Sequence, residues 1–541
     1  MGYCLNCVDA IGRTDPVWVA LVAQFRTSPL VIGTLPIESR NDRPTCSVLV
    51  CSSSHREKAE IARCHEVRET RCANGVDGIS ESLSRATDIA QKQTYVLGME
   101  RSSVTRTTLS AASRIFEEIG LSPQHGNLFH ETAERLLHAA DLVGLRHHQQ
   151  IILAQPKSEV MVQFPVQMDD GRHRLFKGYR VQHSNALGPF LGGVRFAPQL
   201  SLDTVKGHAV LATLRASLVR VPFGGSFGGV KVHPPELSQG ELMRVTRRYC
   251  SAISHQLGPA YDVVAPDAGT DAQVMAWFFD TLAQTTPEPS RQDQSRTVMG
   301  KPSELGGLGS RGRSLAIGVL TVLDELLGDS MLELETARVA VVGFGQVGSA
   351  VARALAARGA RVTAVLTSGT ALYEPSGIDV TALAQHRAQT GGVDGFDGAT
   401  SVMERDFWEA PAEIVVVCAG DGALDAARAA QCRARLVVEV GGANITADAE
   451  EVLVRQGIDV VPDILVGAGV EVASMLEWQE IRREPTFRKD EIETHVRRQM
   501  TLATRRVRVA RMKYECDSRT AATCVGLERI GRVYDLRGVF P

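Results

Sequence analysis

Residues 177–230 read KGYRVQHSNALGPFLGGVRFAPQLSLDTVKGHAVLATLRASLVRVPFGGSFGGV, and this stretch decides the fold of the chain. Two glycine-rich elbows, Gly192-Gly193 and Gly224–Gly229, flank a helix-like segment from about Leu202 to Val219. Because glycine has no β-carbon, paired glycines let one backbone approach a ligand or a neighbouring strand closely. Two such elbows in one short region predict the floor of a pocket.

Length and composition indicate a soluble globular protein of two or three domains. The chain has 541 residues, of which 44% are hydrophobic and 22% charged. A net charge of −3 gives no electrostatic reason to bind nucleic acid or an anionic membrane. No apolar run reaches the roughly 18 residues that a membrane-spanning helix needs. We therefore expect no nucleic-acid or membrane partner and a cytoplasmic location, with a mitochondrial one left open.

The cysteines do not suggest a disulfide framework. There are 11 of them, an odd number, in a chain long enough to bury a large core. Cys4-x-x-Cys7 has the spacing of a zinc or redox pair, but reduced thiols in a terminal extension are the favoured interpretation. We expect no metal site.

The region before residue 285 shows alternating helix and strand signals. Glu131–Leu145 has apolar residues at helical spacing. Ser158–Pro165 and Arg174–Gln182 are predicted strands, joined by a hairpin through an Asp-Gly pair. Ser238–Leu257 is predicted to be a helix with Ser238 as its N-cap, and Glu241 stands at the capping-box position.

A nucleotide-binding pattern follows Gln284–Gly312, a stretch rich in Pro, Gly and Ser that we interpret as an interdomain connection. Ala337–Val342 is an apolar strand, and the turn Gly343-Phe344-Gly345-Gln346-Val347-Gly348 leads into an alanine-rich helix. Further apolar strands are predicted at 361–366, 414–418, 436–440 and 458–461. This alternation predicts an α/β fold with a doubly wound parallel sheet of the Rossmann type.

The glycine elbows, the run Ala265–Asp271 and the turn Gly343–Gly348 together resemble the glutamate dehydrogenase family, which includes leucine, phenylalanine and valine dehydrogenases. The resemblance covers about residues 110–541. It implies a hexamer or other homo- or hetero-oligomer, and an N-terminal extension that has no counterpart in the family. The implied domains are the extension at 1–108, a substrate and oligomerisation domain at 109–305, a Rossmann dinucleotide-binding domain at 306–475, and a C-terminal helical segment at 476–541 that returns to the substrate domain.

The same resemblance assigns catalytic positions. Asp267 matches the aspartate that handles protons in the family, whereas Phe227 stands where the family has its catalytic lysine. Oxidative deamination needs a proton acceptor and an oriented water at that point, and phenylalanine supplies neither. Lys231 lies four residues further on, which is about 13 Å along an extended strand, so we do not expect it to substitute.

The implied substrate positions are partly altered. Leu191 replaces the lysine that holds the side-chain carboxylate of glutamate, next to Gly192, and this favours an apolar amino acid. Ser474 keeps the serine that contacts the same carboxylate in glutamate enzymes, so the two signals disagree. Arg215 stands where a second lysine grips the α-carboxylate, and its planar guanidinium can bind a carboxylate through two donors.

For the cofactor, the resemblance implies NAD or NADP along the glycine turn, where a helix N-terminus favours a pyrophosphate. Thr367 ends the second strand in place of the acidic residue that would bind the ribose. On the nicotinamide side, Leu315 replaces a threonine and Gly467 an asparagine. The predicted cofactor positions are Gly343, Gly345, Gln346, Val347, Gly348, Thr367 and Leu315.

Two hypotheses follow, and the sequence leaves both open. In the first, the chain is an NAD(P)-dependent dehydrogenase that deaminates glutamate or an apolar L-amino acid, with impaired activity. In the second, it is a catalytically silent paralogue that serves as a regulatory or structural subunit of an active dehydrogenase oligomer.

Overall fold

A computed structural model of the protein describes residues 30–36, 46–52, 109–285, 294–308, 311–328, 332–480 and 489–539. The Cys4–Cys7 pair and residues 286–293 and 309–310 of the interdomain connection lie outside these residues. Within the extension, β1 (Leu30–Pro36) and β2 (Cys46–Ser52) pair as antiparallel strands. Residues 1–97 form one compact unit and residues 98–541 another.

The first sheet of the larger unit has five strands, in the order β3-β4-β6-β5-β7. The β3–β4 and β4–β6 pairs are antiparallel, whereas β5 pairs in parallel with β6 and β7. The predicted Asp-Gly hairpin is confirmed, since it joins β3 to β4. The strands are β3 (Ser158–Gln167), β4 (His173–Ser184), β5 (Phe190–Ala197), β6 (Gly224–Lys231) and β7 (Asp262–Pro266).

Six helices belong with this sheet. Ser238 Oγ accepts from the Glu241 N–H and the Glu241 carboxylate accepts from the Ser238 N–H, which confirms the predicted capping box. Ser201 caps the central helix by accepting from the Thr204 N–H. The helices are α1 (Leu109–Glu118), α2 (Leu128–Leu142), α3 (His147–Leu153), α4 (Leu202–Leu218), α5 (Gln239–Ile253) and α6 (Ala272–Thr285). We call this sheet and its helices the five-stranded half.

The second sheet has seven strands, in the order β11-β10-β9-β8-β12-β13-β14. The five strands from β9 to β14 in this order are parallel, as predicted, and two short antiparallel strands are added at one edge. The strands are β8 (Arg338–Val342), β9 (Arg361–Leu366), β10 (Ala371–Tyr373), β11 (Thr400–Val402), β12 (Ile414–Val417), β13 (Leu436–Glu439) and β14 (Asp459–Val461).

Helices cover this sheet, which we call the seven-stranded half. Parallel strands need such crossovers, and burial on both faces explains their runs of Val and Ile. The helices are α7 (Arg311–Leu327), α8 (Gln346–Ala357), α9 (Val380–Thr390), α10 (Glu404–Glu409), α11 (Ala426–Gln431), α12 (Ala447–Arg455), α13 (Asp463–Val466) and α14 (Gly469–Glu480).

The chain ends in two long helices, α15 (Lys489–Tyr514) and α16 (Ser518–Arg537), as the sequence predicts. Helix α16 returns to the five-stranded half and packs on α4, where Ser217 Oγ donates to the carbonyl of Gly526 at 2.7 Å. Arg529 donates to the carbonyl of Val221 beside it. None of the described helices is long and apolar enough to cross a membrane.

Candidate functional site

Strands β5 and β6 lie side by side and carry the two glycine elbows that predict a pocket floor. A β-carbon on Gly192 would lie 1.5 Å from the carbonyl oxygen of Ser226, so only glycine fits there. A β-carbon on Gly193 would lie 2.9 Å from Cε2 of Phe227 and 2.9 Å from Cβ of Asp267. The first elbow therefore allows the two predicted catalytic positions to meet.

The side chain of Phe227 fills the position at which the resemblance places a lysine. It is 2% exposed, and its ring stacks on that of His208 with the centroids 4.7 Å apart. The guanidinium carbon of Arg195 lies 5.3 Å from the centroid of the Phe227 ring, within cation–π range. A hydrocarbon ring packed in this way cannot accept a proton.

Arg195, two residues after the first elbow, links the floor to the seven-stranded half. Its Nε donates to Asp267 at 2.7 Å, and its Nη1 donates to both oxygens of Asp421 at 2.9 Å. His208 Nε2 lies 3.1 Å from the same Asp421 carboxylate. Because Asp421 follows β12, these bonds join the two halves across the cleft.

In this cluster, nearby opposite charges shift the pKa values more strongly than burial does. Burial tends to lower the pKa of Arg195, but the charges of Asp267 and Asp421 raise it. Burial tends to raise the pKa of Asp421, yet the charges of His208 and Arg195 lower it to about 2. Asp421 and Arg195 are therefore both ionised at neutral pH.

Arg215 on α4 is paired with carboxylates of the chain itself. Its Nη1 donates to Asp463 Oδ2 at 2.6 Å, and its Nε lies 3.6 Å from Glu471 Oε1. The Arg215 side chain is 7% exposed, and its Nε has no hydrogen-bond partner among the described residues. Burial tends to lower the pKa of Arg215, but Asp463 and Glu471 raise it. An internal carboxylate thus takes the hydrogen bond that the resemblance assigns to a substrate carboxylate.

The remaining predicted substrate residues are buried. Leu191 is 1% exposed on β5, where it pairs with Gly225 of β6 and Val263 of β7. Ser474 is 6% exposed on α14, one turn after Glu471. The helix therefore presents an acidic side chain on the same face as the predicted serine.

The glycine turn between β8 and α8 has the shape that a dinucleotide requires. A β-carbon on Gly348 would lie 1.9 Å from the carbonyl oxygen of Gly343, so this contact needs glycine. A β-carbon on Gly345 would meet no atom within 4 Å. Gly345 is the N-cap of α8, and no side chain caps that helix, so the amides of Gln346 and Val347 begin an uncapped N-terminus. Such an end suits a pyrophosphate.

Other predicted cofactor positions are less favourable. The Thr367 hydroxyl donates to the Thr370 carbonyl at 3.1 Å and accepts from the Thr370 N–H, so it closes a turn after β9. Leu315 is 1% exposed within the main hydrophobic core. A β-carbon on Gly467 would lie 2.6 Å from Asp463 Oδ1, so the asparagine of the resemblance does not fit beside Asp463.

Sequence reasoning missed Arg195, His208, Asp421, Asp463 and Glu471. Two signals were available in the sequence. His208 precedes Arg215 by seven residues, which places both on one face of a helix. Asp421 and Asp463 each follow a predicted parallel strand, and ligand sites in α/β sheets lie at those carboxyl ends.

Two family models match the chain. One, described as Glu/Leu/Phe/Val dehydrogenase, dimerisation domain, covers residues 156–284, and the other, Glutamate/Leucine/Phenylalanine/Valine dehydrogenase, covers residues 306–538. Together they span more than half of the chain, and the second model includes α16, the helix that returns to the five-stranded half.

Characterised proteins resemble the chain over nearly their whole length. The glutamate dehydrogenase of Thermotoga maritima is 36% identical over 416 residues, which is 77% of this chain and 99% of that protein. The NADP-specific glutamate dehydrogenase of Saccharolobus shibatae is 33% identical, over 76% and 97% of the two chains. A solved structure, the hetero-hexameric glutamate dehydrogenase of Thermus thermophilus in its Leu-bound form, has 37% identity and a TM-score of 0.73, covering 78% of this chain and 99% of its own.

Proposed function

This chain belongs to the Glu/Leu/Phe/Val dehydrogenase family, and from that premise we propose that it is a catalytically silent member of the glutamate dehydrogenase type. Its role would be that of a regulatory or structural subunit beside an active homologue. One observation carries the proposal, namely the burial of the Phe227 ring, in contact with His208 and Arg195, at the position of the catalytic lysine.

The missing lysine removes a chemical step. In the family reaction, NAD or NADP supplies the hydride acceptor for the α-carbon of the amino acid. The resulting imine must then gain water while a base accepts a proton, and such general acid–base catalysis is typically worth about 10²–10⁴-fold in rate. The Asp267 side chain lies beside Phe227 at Gly193, and Arg195 already donates to its Oδ1.

Substrate binding is opposed by the ion pairs of the chain itself. Arg215 donates to Asp463, and Arg195 donates to Asp267 and Asp421. A substrate carboxylate at Arg215 must displace Asp463, and separating such a buried pair costs several kcal/mol unless the new partner replaces it fully. The cleft therefore favours its closed, self-paired state.

The dinucleotide turn supports binding without turnover. The glycines at 343 and 348 keep the tight packing that the turn needs, and Gly345 leaves space in front of the α8 N-terminus. These residues fit a pyrophosphate. Thr367, in contrast, lacks the carboxylate that would bind the ribose hydroxyls, and its own hydroxyl bonds the Thr370 carbonyl. A dinucleotide held here would act as a ligand of the subunit.

A hetero-oligomer is the assembly that this role requires. The match to the dimerisation-domain model at residues 156–284 supports an oligomer. The similarity to a subunit of a hetero-hexamer gives a precedent for mixed assembly. An oligomer with an active homologue lets the silent chain influence closure of its neighbour.

The second candidate is a slow NAD(P)-dependent amino-acid dehydrogenase. The position of Asp267 beside Phe227 and the intact glycine turn favour this alternative. Its substrate would be glutamate or an apolar amino acid.

The deciding experiment measures reduction of NAD and of NADP with a panel of L-amino acids, including glutamate and valine. We expect the wild-type chain alone to show no turnover above that of its Asp267→Asn variant. We also expect it to change kcat or KM of a homologue from the same source that carries lysine at the position of Phe227. Wild-type turnover that Asp267→Asn abolishes would establish the slow dehydrogenase instead, and the absence of such a homologue would contradict the subunit role.

A further inference from the structure

The turn that follows β9 lies beside the glycine turn of the dinucleotide site. The Gly343 N–H donates to the carbonyl of Leu366, the last residue of β9, at 2.7 Å. The Thr367 hydroxyl then closes the next turn by its two hydrogen bonds with Thr370. In a dinucleotide-binding sheet of this type, an acidic residue near the end of the second strand binds the ribose. Thr367 is not acidic, so a carboxylate at this place has to come from another part of the chain.

A carboxylate from a separate loop reaches this turn. Asp394 lies in the loop between α9 and β11, 24 positions after Thr370, and its Oδ1 accepts a hydrogen bond from the Thr370 hydroxyl. The Asp394 side chain is exposed, and a β-carbon on Gly392 would lie 3.0 Å from its Oδ2. Glycine at position 392 therefore leaves room around the second oxygen, which can accept a hydrogen bond from a ligand while Thr370 holds the first.

The loop that carries Asp394 is anchored on both sides of this residue and through its backbone. Val393 is 2% exposed and packs in the main hydrophobic core. His386 Nε2 donates to the carbonyl of Asp394 at 2.7 Å, and the Thr390 hydroxyl donates to the carbonyl of Gly392 at 3.1 Å. A carboxylate on a loop that is already ordered loses little conformational freedom when a ligand binds to it.

A carboxylate at the end of β9 discriminates between the two nicotinamide dinucleotides. NAD has a ribose 2′-hydroxyl, which donates a hydrogen bond to a carboxylate, whereas NADP has a 2′-phosphate at the same place. A phosphomonoester carries about −1.5 to −2 charge near pH 7, and its oxygens accept hydrogen bonds. A carboxylate therefore attracts the hydroxyl and repels the phosphate.

We propose that Asp394 supplies the ribose-binding carboxylate that Thr367 lacks, so that the site prefers NAD and NADH to NADP and NADPH. Asp394 is then the residue that determines cofactor specificity, and Thr370 is the residue that positions it. This inference rests on the dinucleotide binding that forms part of the proposed function. It does not depend on whether the chain oxidises an amino acid, because the ribose lies away from the chemistry at Phe227.

The test is fluorescence titration of the full chain with NADH and with NADPH. We expect the wild type to bind NADH at least about tenfold more tightly than NADPH. Asp394→Asn keeps an acceptor for the Thr370 hydroxyl but removes the charge, and it should lower this ratio of affinities at least about fivefold. The matched control is Asp397→Asn, which changes another exposed aspartate of the same loop and should keep the wild-type ratio.

Thr370→Val removes the hydroxyl that holds Asp394 Oδ1, and it should lower the ratio in the same direction as Asp394→Asn. A general loss of structure would weaken both ligands together and leave their ratio unchanged. The proposal is overturned if the wild type binds NADPH as tightly as NADH, if neither dinucleotide binds, or if Asp394→Asn keeps the wild-type ratio. Turnover of an amino acid would contradict the silent role but leave this preference intact, so the two failures are distinguishable.

Discussion

Arg195 donates two 2.9 Å hydrogen bonds from one nitrogen to the two oxygens of Asp421, a residue 226 positions away and in the other half of the molecule. In a two-domain dehydrogenase the cleft is expected to close over its ligand. Here an internal ion pair, assisted by His208, joins the same two halves. Closure in this chain therefore has a source of free energy that does not come from a substrate.

The first prediction concerns Asp421→Asn. The pKa of Asp421 is lowered to about 2 in the folded chain, so its pairing stabilises the fold above pH ~4 and is lost as pH falls towards 2. We expect the variant to lose about 2 kcal/mol of unfolding free energy at neutral pH, measured by urea titration.

The matched control is Asp324→Asn, which removes a surface pair with Arg358 within one half. It should cost less than about 1 kcal/mol. An Asp421→Asn deficit that persists unchanged at the lowest pH of the folded protein would contradict the ionic origin of the link.

The second prediction concerns Asp463→Asn. The amide keeps an acceptor for the Gly441 N–H but loses the charge that holds Arg215. We expect 2-oxoglutarate, titrated calorimetrically, to bind at least about fivefold more tightly than to the wild type, because a charged hydrogen bond is worth about 1.5–3 kcal/mol. Asp459→Asn, which loosens only a partly exposed pair with Arg511, should leave the affinity unchanged. Equal affinities in all three proteins would show that Arg215 does not bind carboxylates.

The third prediction separates the roles of two glycines in one turn. Gly345→Ala adds a methyl group in open space, so stability should stay within about 0.5 kcal/mol while NADH binding, followed by fluorescence, weakens about tenfold or more. Gly348→Ala would force a β-carbon against the Gly343 carbonyl and should lower the melting temperature. NADH binding by Gly345→Ala at wild-type strength would show that the dinucleotide does not approach this turn.

The fourth prediction is a pH dependence that arises from a single buried imidazole. Burial lowers the pKa of His183 to about 4, and its ring bonds the Thr213 hydroxyl and the Leu153 carbonyl. A depressed histidine pKa means that its contribution is present above pH ~6.5 and is lost as pH falls through about 4, up to about 3 kcal/mol. In urea titrations, His183→Gln should have a smaller slope of stability against pH in that window. If the slope were the same as in the wild type, His183 would not be the source of this pH dependence.

Local sequence signals predicted most of the fold. The capping box of Ser238 and Glu241 and the Asp-Gly hairpin each involve only a few neighbouring residues. The local sequence is therefore enough to predict the structure that they form. Glycine spacing likewise located the elbows and the dinucleotide turn. The family resemblance supplied the two-domain architecture that periodicity alone left open.

The interior of the site was less predictable. The pairs Arg195–Asp421 and Arg215–Asp463 join residues 226 and 248 positions apart, and no local pattern specifies such partners. The phenylalanine at position 227 is visible in the sequence, whereas the stacking of its ring on His208 depends on how β6 packs against α4. Arg215, which was expected to hold a substrate carboxylate, is therefore paired with Asp463 of the chain itself.

The return of α16 to α4 has a consequence for how the chain is made. The packing of the five-stranded half is discontinuous in sequence, because helix α16, which covers α4, is synthesised only after the whole seven-stranded half. Contacts between residues that are far apart in sequence form late. This half therefore cannot complete its packing until α16 has been translated. A gene fragment that stops before residue 518 would leave the buried face of α4 uncovered, and the two halves cannot be produced as independent contiguous pieces.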